Sequence, residues 1–208
     1  MLVVDIKRKV QRLFGDSASE ILINQQDIWD WINEAQLKIV RETHCLSKSI
    51  TAAASTYSAG SNLPADWIVS KRLTYNNLPL KMVDIDDLDT LGVDVTQASD
   101  SPTYYYHFAK QIRFYPKAVA TDVISVVFDY ICLPTVIVAD ATPLDVPVSY
   151  HEDIVRFCIM RAHERNQNYK MLDTSNANFS ETAGIRKEEA SLQDDDFFVI
   201  RDDVGEDW

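Results

Sequence analysis

Apolar residues recur at helical spacing in two stretches near the start of the chain. The first stripe predicts an amphipathic helix over residues 3–14, with Gly15 as its stop. Asn24 stands three residues before Asp27, which is the spacing of an N-terminal cap, and apolar residues then recur every three or four positions to about Thr43. The pattern therefore predicts two helices before residue 44. Their apolar positions are Val3, Ile6, Val10, Leu13 and Phe14, then Ile28, Trp31, Ile32, Ala35 and Ile39.

In the middle of the chain the apolar spacing changes to alternation, which is typical of strands. Asn76-Asn77 and Ala109-Lys110 each separate two alternating runs and predict hairpin turns, asparagine because it tolerates the positive φ that such turns need. Residues 122–132 place every second residue on a further apolar face. These runs predict an antiparallel meander that packs on one side.

The last third of the chain returns to helical spacing. Residues 133–147 contain three prolines and predict an extended connector. Ser149 and Glu152 have the spacing of a capping box at the start of a helix that reaches about Lys170. A last helix is predicted for residues 174–192.

The order of these elements predicts an α+β fold. A helical bundle is expected from two N-terminal helices within residues 3–43 and two C-terminal helices within 149–192, with an antiparallel β-rich insertion over 48–146. Residues 1–193 then form one domain, and residues 194–208 form an extended C-terminal tail.

Most of the net negative charge of the chain lies in or next to that tail. The formal net charge of the 208 residues is -12, and residues 188–208 hold nine acidic residues against one basic residue, whereas residues 1–187 carry only -4. An apolar run lies between the two aspartate blocks, and a tryptophan ends the chain. We therefore expect the tail to dock on a partner through Phe197, Phe198, Val199, Ile200 and Trp208. The alternative is a strand that folds back on the chain's own sheet.

Four basic residues form the dense basic cluster of the chain, on the side of the first predicted helix that is expected to be exposed: Lys7, Arg8, Lys9 and Arg12. A solvated helix face is one interpretation. The other is a contact with an acidic partner surface, such as the tail of a neighbouring copy. Nucleic-acid binding is disfavoured, because affinity for phosphates needs clustered positive charge and the chain as a whole is acidic.

Motifs that carry chemistry are missing from the sequence. No GxSxG, phosphate-binding or dinucleotide-binding glycine pattern occurs, and His151 and His163 lack the partner histidine four residues on that a zinc-protease helix needs. Cys45, Cys132 and Cys158 are widely spaced, as buried reduced thiols would be. We expect no enzyme activity, no cofactor and no metal site. The N-terminus also lacks the pattern of a signal peptide, and no run is apolar enough for a membrane helix.

Five stretches, in this order within residues 3–193, form a recognisable pattern. They are "DIKRKVQRLFGD", "ILINQQDIWDWINEAQLKIVRET", "LPADWI", "YYYHFAKQIRFYP" and "VPVSYHEDIVRFCIMRAHERNQNY". The arrangement resembles the head-to-tail adaptor (connector) proteins of tailed bacteriophages, of the podophage type. The resemblance rests on packing and turn patterns and brings no catalytic residues with it.

This resemblance implies a structural virion protein with defined partners. They are the portal protein ring, a tail nozzle or tail tube protein, and other copies of the chain in a ring that is commonly dodecameric. The ring would lie at the head–tail interface of the virion, DNA would pass through it transiently and without specificity, and the host cytoplasm would hold the protein during assembly. An acidic DNA mimic, or another non-catalytic interaction protein, is the alternative.

Overall fold

The computed structural model describes residues 2–14, 24–88, 98–99, 101–119, 123–166, 174–177, 179–182 and 184–188. Two compact units divide the chain. The helical unit consists of residues 1–46 and 133–208, and the sheet unit is Ser47–Cys132. The chain is thus mixed α/β, as the sequence predicts.

The helices are α1 (Val3–Phe14), α2 (Gln25–Thr43), α3 (Ile85–Leu88) and α4 (His151–Arg165). Residues 174–177, 179–182 and 184–188 are also helical. The strands are β1 (Ser47–Ala53), β2 (Ser61–Asn62), β3 (Trp67–Tyr75), β4 (Leu78–Met82), β5 (Ala98–Ser99), β6 (Tyr104–Phe108), β7 (Gln111–Tyr115), β8 (Lys117–Ala118) and β9 (Ser125–Cys132).

Helix α2 begins at the cap that the sequence predicts. The backbone N–H of Asp27 donates to Asn24 Oδ1 over 2.8 Å, and the Asn24 N–H donates to Asp27 Oδ2 over 3.2 Å. Two N–H groups that the first turn leaves without a helical partner are satisfied in this way. His44 ends the helix in the left-handed region (φ 53°), and its N–H bonds the Val40 carbonyl.

Helix α4 contacts both α1 and α2 and buries residues on more than one side. The capping box predicted for Ser149 and Glu152 is wrong. A 3-10 turn over Val148–Tyr150 precedes the helix, and Tyr150 makes no side-chain cap. Partners distant in sequence engage both residues instead: Glu152 pairs with Lys9, and the Ser149 carbonyl accepts from Arg186.

A seven-stranded sheet forms the sheet unit, in the order β1-β9-β3-β4-β6-β7-β2, with β5 and β8 as a separate pair. The two predicted hairpin turns are confirmed, with positive φ at both central residues of each: Asn76 (51°), Asn77 (64°), Ala109 (49°) and Lys110 (61°). Such turns match the right-handed twist of the strands they join.

The sheet is not the antiparallel meander that alternation predicts. Strand β4 runs parallel to β6, with Lys81 opposite Tyr104 and Met82 opposite Tyr105, and β5 runs parallel to β8. The connection between β4 and β6 contains α3 and β5, and β6 enters the sheet in the same direction as β4. Strand β9 lies between β1 and β3 and is antiparallel to both.

The sheet buries the face that carries alternate residues of β9, and at residues 73–75 and 130–132 consecutive residues of both faces are buried. Val126, Phe128 and Tyr130 of β9 are buried, as the alternation of residues 122–132 predicts. Of the three consecutive tyrosines at 104–106, Tyr105 is the buried one, and on β7 Phe114 stacks on Tyr57 with ring centroids 4.9 Å apart. The aromatic residues of this region therefore include members of the core.

Candidate interaction surfaces

The structure divides the basic cluster of α1 into two pairs. Lys7 Nζ lies 3.8 Å from Asp140 Oδ2, and Lys9 pairs with Glu152 at the start of α4. Arg8 and Arg12 are exposed and form no ion pair with any residue that the structure describes. Of the four predicted contact residues, two thus hold α1 within the helical unit, and two point to solvent. Phe197, Phe198, Val199, Ile200 and Trp208 lie outside the described residues.

An exposed apolar patch lies on the connector, where the sequence predicts only an extended link. Val136 and Val138, here called the valine strip, are 66% and 69% exposed. Ile137 between them is buried. Isolated apolar residues are common on surfaces, but neighbouring ones mark interaction sites. The alternation in "TVIVAD" is the signal that could have identified the strip.

Hydrogen bonds from α2 hold the connector in place. The Asn33 side chain accepts from the Ile137 N–H (2.7 Å) and donates to the Ile137 carbonyl (3.1 Å), as a neighbouring strand would. Trp29 Nε1 donates to Asp140 Oδ1 over 2.9 Å. The strip is therefore presented on a fixed backbone, which lowers the conformational entropy that a partner must remove on binding.

A charged and hydrogen-bonded trio joins β1, β9 and the turn before β3. The Lys48 ammonium pairs with Asp66, and Tyr130 Oη donates to Asp66 Oδ1 over 3.0 Å. The hydrogen bond from Lys48 holds the pKa of Asp66 below its ordinary value and raises the pKa of Lys48. Burial and the hydrogen bond to Asp66 raise the pKa of Tyr130 to about 12.

We expect the stabilising effect of the Tyr130 phenol to disappear at high pH. An unfolded phenol ionises near its ordinary pKa of 10.0, whereas the folded one stays neutral until about 12. The contribution is therefore complete below pH 10 and is lost as the pH rises towards 12. Urea unfolding of the wild-type chain and of Tyr130→Phe between pH 8 and pH 11.5 measures this difference. It should shrink above pH 10, and a difference that stays constant would contradict the assignment.

Ser70 and His107 form a pair that sequence spacing does not reveal. Ser70 Oγ lies 3.1 Å from His107 Nε2 and accepts from Trp67 Nε1 over 3.1 Å. A nucleophile and its base make such a contact, but in a catalytic triad a third group orients the histidine. Here the rings of Trp67 and Tyr105 flank His107, and burial lowers its pKa. Within the described part of the chain, the arrangement is a polar bridge between β3 and β6.

The described residues show neither a metal-binding cluster nor a membrane-spanning helix. These residues contain no group of three or more His, Cys, Asp or Glu side chains placed to hold a metal ion. None of the helices in this part of the chain combines the length and the apolar character of a membrane span. Cys132 and Cys158 are buried and Cys45 is half-buried. All three are thiols and not disulfides, and burial raises the pKa of Cys158.

Comparison with known protein families gives a match over most of the chain. A family model described as SU10 adaptor protein matches residues 1–197. The match covers the whole sheet unit, the connector and the helices of the helical unit, and it ends at Phe197 in the tail. A search of curated proteins found no match.

Proposed function

Because the chain belongs to the SU10 adaptor protein family, a family of phage head-to-tail adaptors, we propose that it forms a ring between the portal and the tail of a bacteriophage. The family match over residues 1–197 carries this proposal. The protein is a structural component of the virion, and its partners are portal and tail components. The ring is proposed to be dodecameric, to have a tail nozzle or tail tube protein as its lower partner, and to assemble from protein held in the host cytoplasm.

A ring needs two different patches on each subunit, so that one copy meets the next head to tail. The valine strip supports one such patch, because it is apolar, exposed and held by α2. Arg8 and Arg12 are free to meet an acidic surface of the portal or of another copy. The tail residues Phe197–Ile200 and Trp208 supply a further docking element.

The net charge of -12 fits a ring through which DNA passes. Negative charge on a channel wall repels phosphate over about a Debye length, roughly 8 Å at physiological salt. A wall of this kind keeps DNA from adhering during its transient and non-specific passage. We therefore place acidic residues of the chain along the DNA exit channel.

The acidic DNA mimic is less well supported by the described surface. A mimic presents unpaired carboxylates over a folded face, whereas many of the described acids pair with bases of the same unit. Examples are Asp27 with Arg165, Glu34 with Arg161, Asp66 with Lys48, Asp140 with Lys7 and Glu152 with Lys9. These pairs reduce the negative charge available to imitate phosphate.

Mass measurement of the full chain, alone and mixed with the portal ring of the same virus, tests the proposal. We expect a defined number of copies, twelve for a dodecameric ring, to add to the portal. Adaptors that assemble only on a platform remain monomeric without it, so the decisive sample is the mixture. A full-length chain that leaves the mass of the portal ring unchanged would overturn the proposed function.

Charge placed on the valine strip is expected to weaken this assembly. The double variant Val136→Asp, Val138→Asp should reduce binding at least tenfold, because each fully buried valine contributes about 1.5–3 kcal/mol and about 1.4 kcal/mol corresponds to tenfold. Both side chains are exposed, so the melting temperature should change little.

The matched control is Val123→Asp, a single change at a valine that is 86% exposed in the sheet unit. Its assembly should equal that of the wild-type chain. Equal assembly by the double variant would show that the valine strip is not part of an interface. Assembly is quantified by mass photometry at several chain concentrations.

A further inference from the structure

Strand β1 occupies one edge of the seven-stranded sheet and pairs only with β9. The register runs without a break from Ser47 opposite Ile131 to Ala53 opposite Ser125. Residues 47–51 are exposed. The outer side of β1 is therefore a regular strand edge with no described neighbour.

The alternation of hydrogen-bonded pairs between β1 and β9 identifies which backbone groups of β1 face outward. The Ala54 N–H donates to the Ile124 carbonyl over 2.8 Å, one step beyond the last pair of the same register. Bonded pairs alternate in an antiparallel ladder, so Ala52, Ile50 and Lys48 also bond to β9. The N–H and C=O groups of the alternate residues point away from the sheet. These residues are Ser47, Ser49, Thr51 and Ala53.

This edge lacks most of the features that usually protect a strand from pairing. Proteins shield edges with proline, bulges, charged side chains or very short strands. Strand β1 has no proline and no bulge, and the charge of its single lysine, Lys48, is compensated by Asp66. The opposite edge of the sheet is β2, which has only two residues. Of the two described edges of this sheet, that of β1 is therefore the one long enough to receive another strand.

The tail contains a segment suited to this edge. Residues 197–201, "FFVIR", are β-prone and as long as the exposed run 47–51, which spans about 17 Å at roughly 3.4 Å per residue. Alternate side chains of an added strand would meet Ile50, which is 39% exposed at the edge of the sheet's buried face. Aspartates on both sides of the segment, at 194–196 and 202–203, hinder stacking of one tail on another.

We infer that the outer edge of β1 binds residues 197–201 from the tail of a second copy, which add a strand to the sheet. Main-chain hydrogen bonds to Ser47, Ser49, Thr51 and Ala53 supply the affinity, as in other cases of strand addition. The inference rests on the proposed function, because a tail strand added to the sheet of another copy would join neighbouring subunits of a ring. It provides the head-to-tail contact that such a ring requires.

A peptide of residues 193–208 with a fluorescent label, titrated with the full-length chain in the absence of portal, tests the inference. We expect binding that Thr51→Pro weakens at least tenfold and that the control Thr51→Ser leaves unchanged. Proline removes an outward N–H and leaves the bonds between β1 and β9 in place, so the melting temperature should be retained. No peptide binding to the wild-type chain, or equal binding by a folded Thr51→Pro, overturns the inference.

Methylation of the peptide backbone keeps the test valid if Thr51→Pro fails to fold. N-methyl groups at positions 197, 199 and 201, or at 198 and 200, each block one side of an added strand. One of the two peptides should lose at least tenfold in affinity for the wild-type chain while the other retains it. If both peptides bind like the unmodified one, strand addition is excluded.

Crosslinking separates a second copy from the chain's own tail. A photoreactive phenylalanine analogue replaces Phe198 in a mixture of unlabelled and ¹⁵N-labelled full-length chains. Crosslinks of mixed isotope composition that map to residues 47–53 support the inference, whereas crosslinks within one chain, or to other residues, overturn it. Neither the peptide titrations nor the crosslinking uses portal. The mass measurement with portal can therefore contradict the proposed function while these assays show strand addition. Equally, these assays can show no strand addition while the mass measurement shows assembly on the portal.

Discussion

Replacement of Phe157 by alanine is expected to lower the free energy of unfolding by about 3–5 kcal/mol. The ring is 2% exposed in α4 and lies edge-on to Phe179, with centroids 5.2 Å apart. The Arg161 guanidinium and the Lys38 ammonium lie 5.2 Å and 5.8 Å from its centroid. Alanine would leave a cavity between α4 and the helical residues 179–182 and remove these contacts.

Urea denaturation followed by circular dichroism measures this loss. Leu13→Ala on α1 is the control within the same unit, because Leu13 is 56% exposed and should cost less than about 1 kcal/mol. Phe157→Leu, which keeps most of the apolar volume, should fall between the two. If Phe157→Ala costs no more than Leu13→Ala, Phe157 does not hold the helical unit together.

Elements set by local chemistry could be predicted from the sequence. The Asn24 cap needs only an amide and a carboxylate three residues apart, and the Asn76-Asn77 turn needs only residues that tolerate positive φ. Both form as predicted. Ser149 and Glu152 have equally suitable spacing but no cap forms, because a 3-10 turn over Val148–Tyr150 starts the helix at His151, and Glu152 pairs with Lys9 from another helix. A four-residue capping pattern does not show where the helix will begin or which residue from elsewhere in the fold will pair with its side chains.

Strand order depends on contacts that alternation does not specify. The apolar face of β9 follows from period two, but its position between β1 and β3 does not. Nor does the parallel pairing of β4 with β6, whose connection contains α3 and β5. The fold class was therefore predictable, whereas the topology was not.

The same distinction applies to the candidate surfaces. Lys7 and Lys9 belong with Arg8 and Arg12 by sequence, but Asp140 and Glu152 neutralise them from elsewhere in the helical unit. The edge position of β1 emerges only from the assembled sheet. The docking segment could be proposed from the sequence, whereas its receptor, the edge of β1, could be proposed only from the described surface.

Deletion of residues 194–208 is expected to weaken binding to the portal ring at least a hundredfold. Four large apolar side chains, Phe197 to Ile200, could contribute about 1.5–3 kcal/mol each when buried, and ordering the segment costs part of that gain. A net loss of about 2.7 kcal/mol per subunit already corresponds to a hundredfold. A ring that repeats the contact in every subunit amplifies the effect.

A second deletion separates the apolar run from the end of the tail. Removal of residues 202–208 alone keeps Phe197–Ile200 and Arg201 but removes Trp208, so this variant should retain most of the binding. Pull-down on immobilised portal rings, with the free energy of unfolding measured in parallel, compares both variants with the full chain. If the longer deletion binds portal normally but lowers the free energy of unfolding, the tail folds back on its own chain. Lost binding with unchanged stability would instead identify a segment whose apolar surface is buried only between chains.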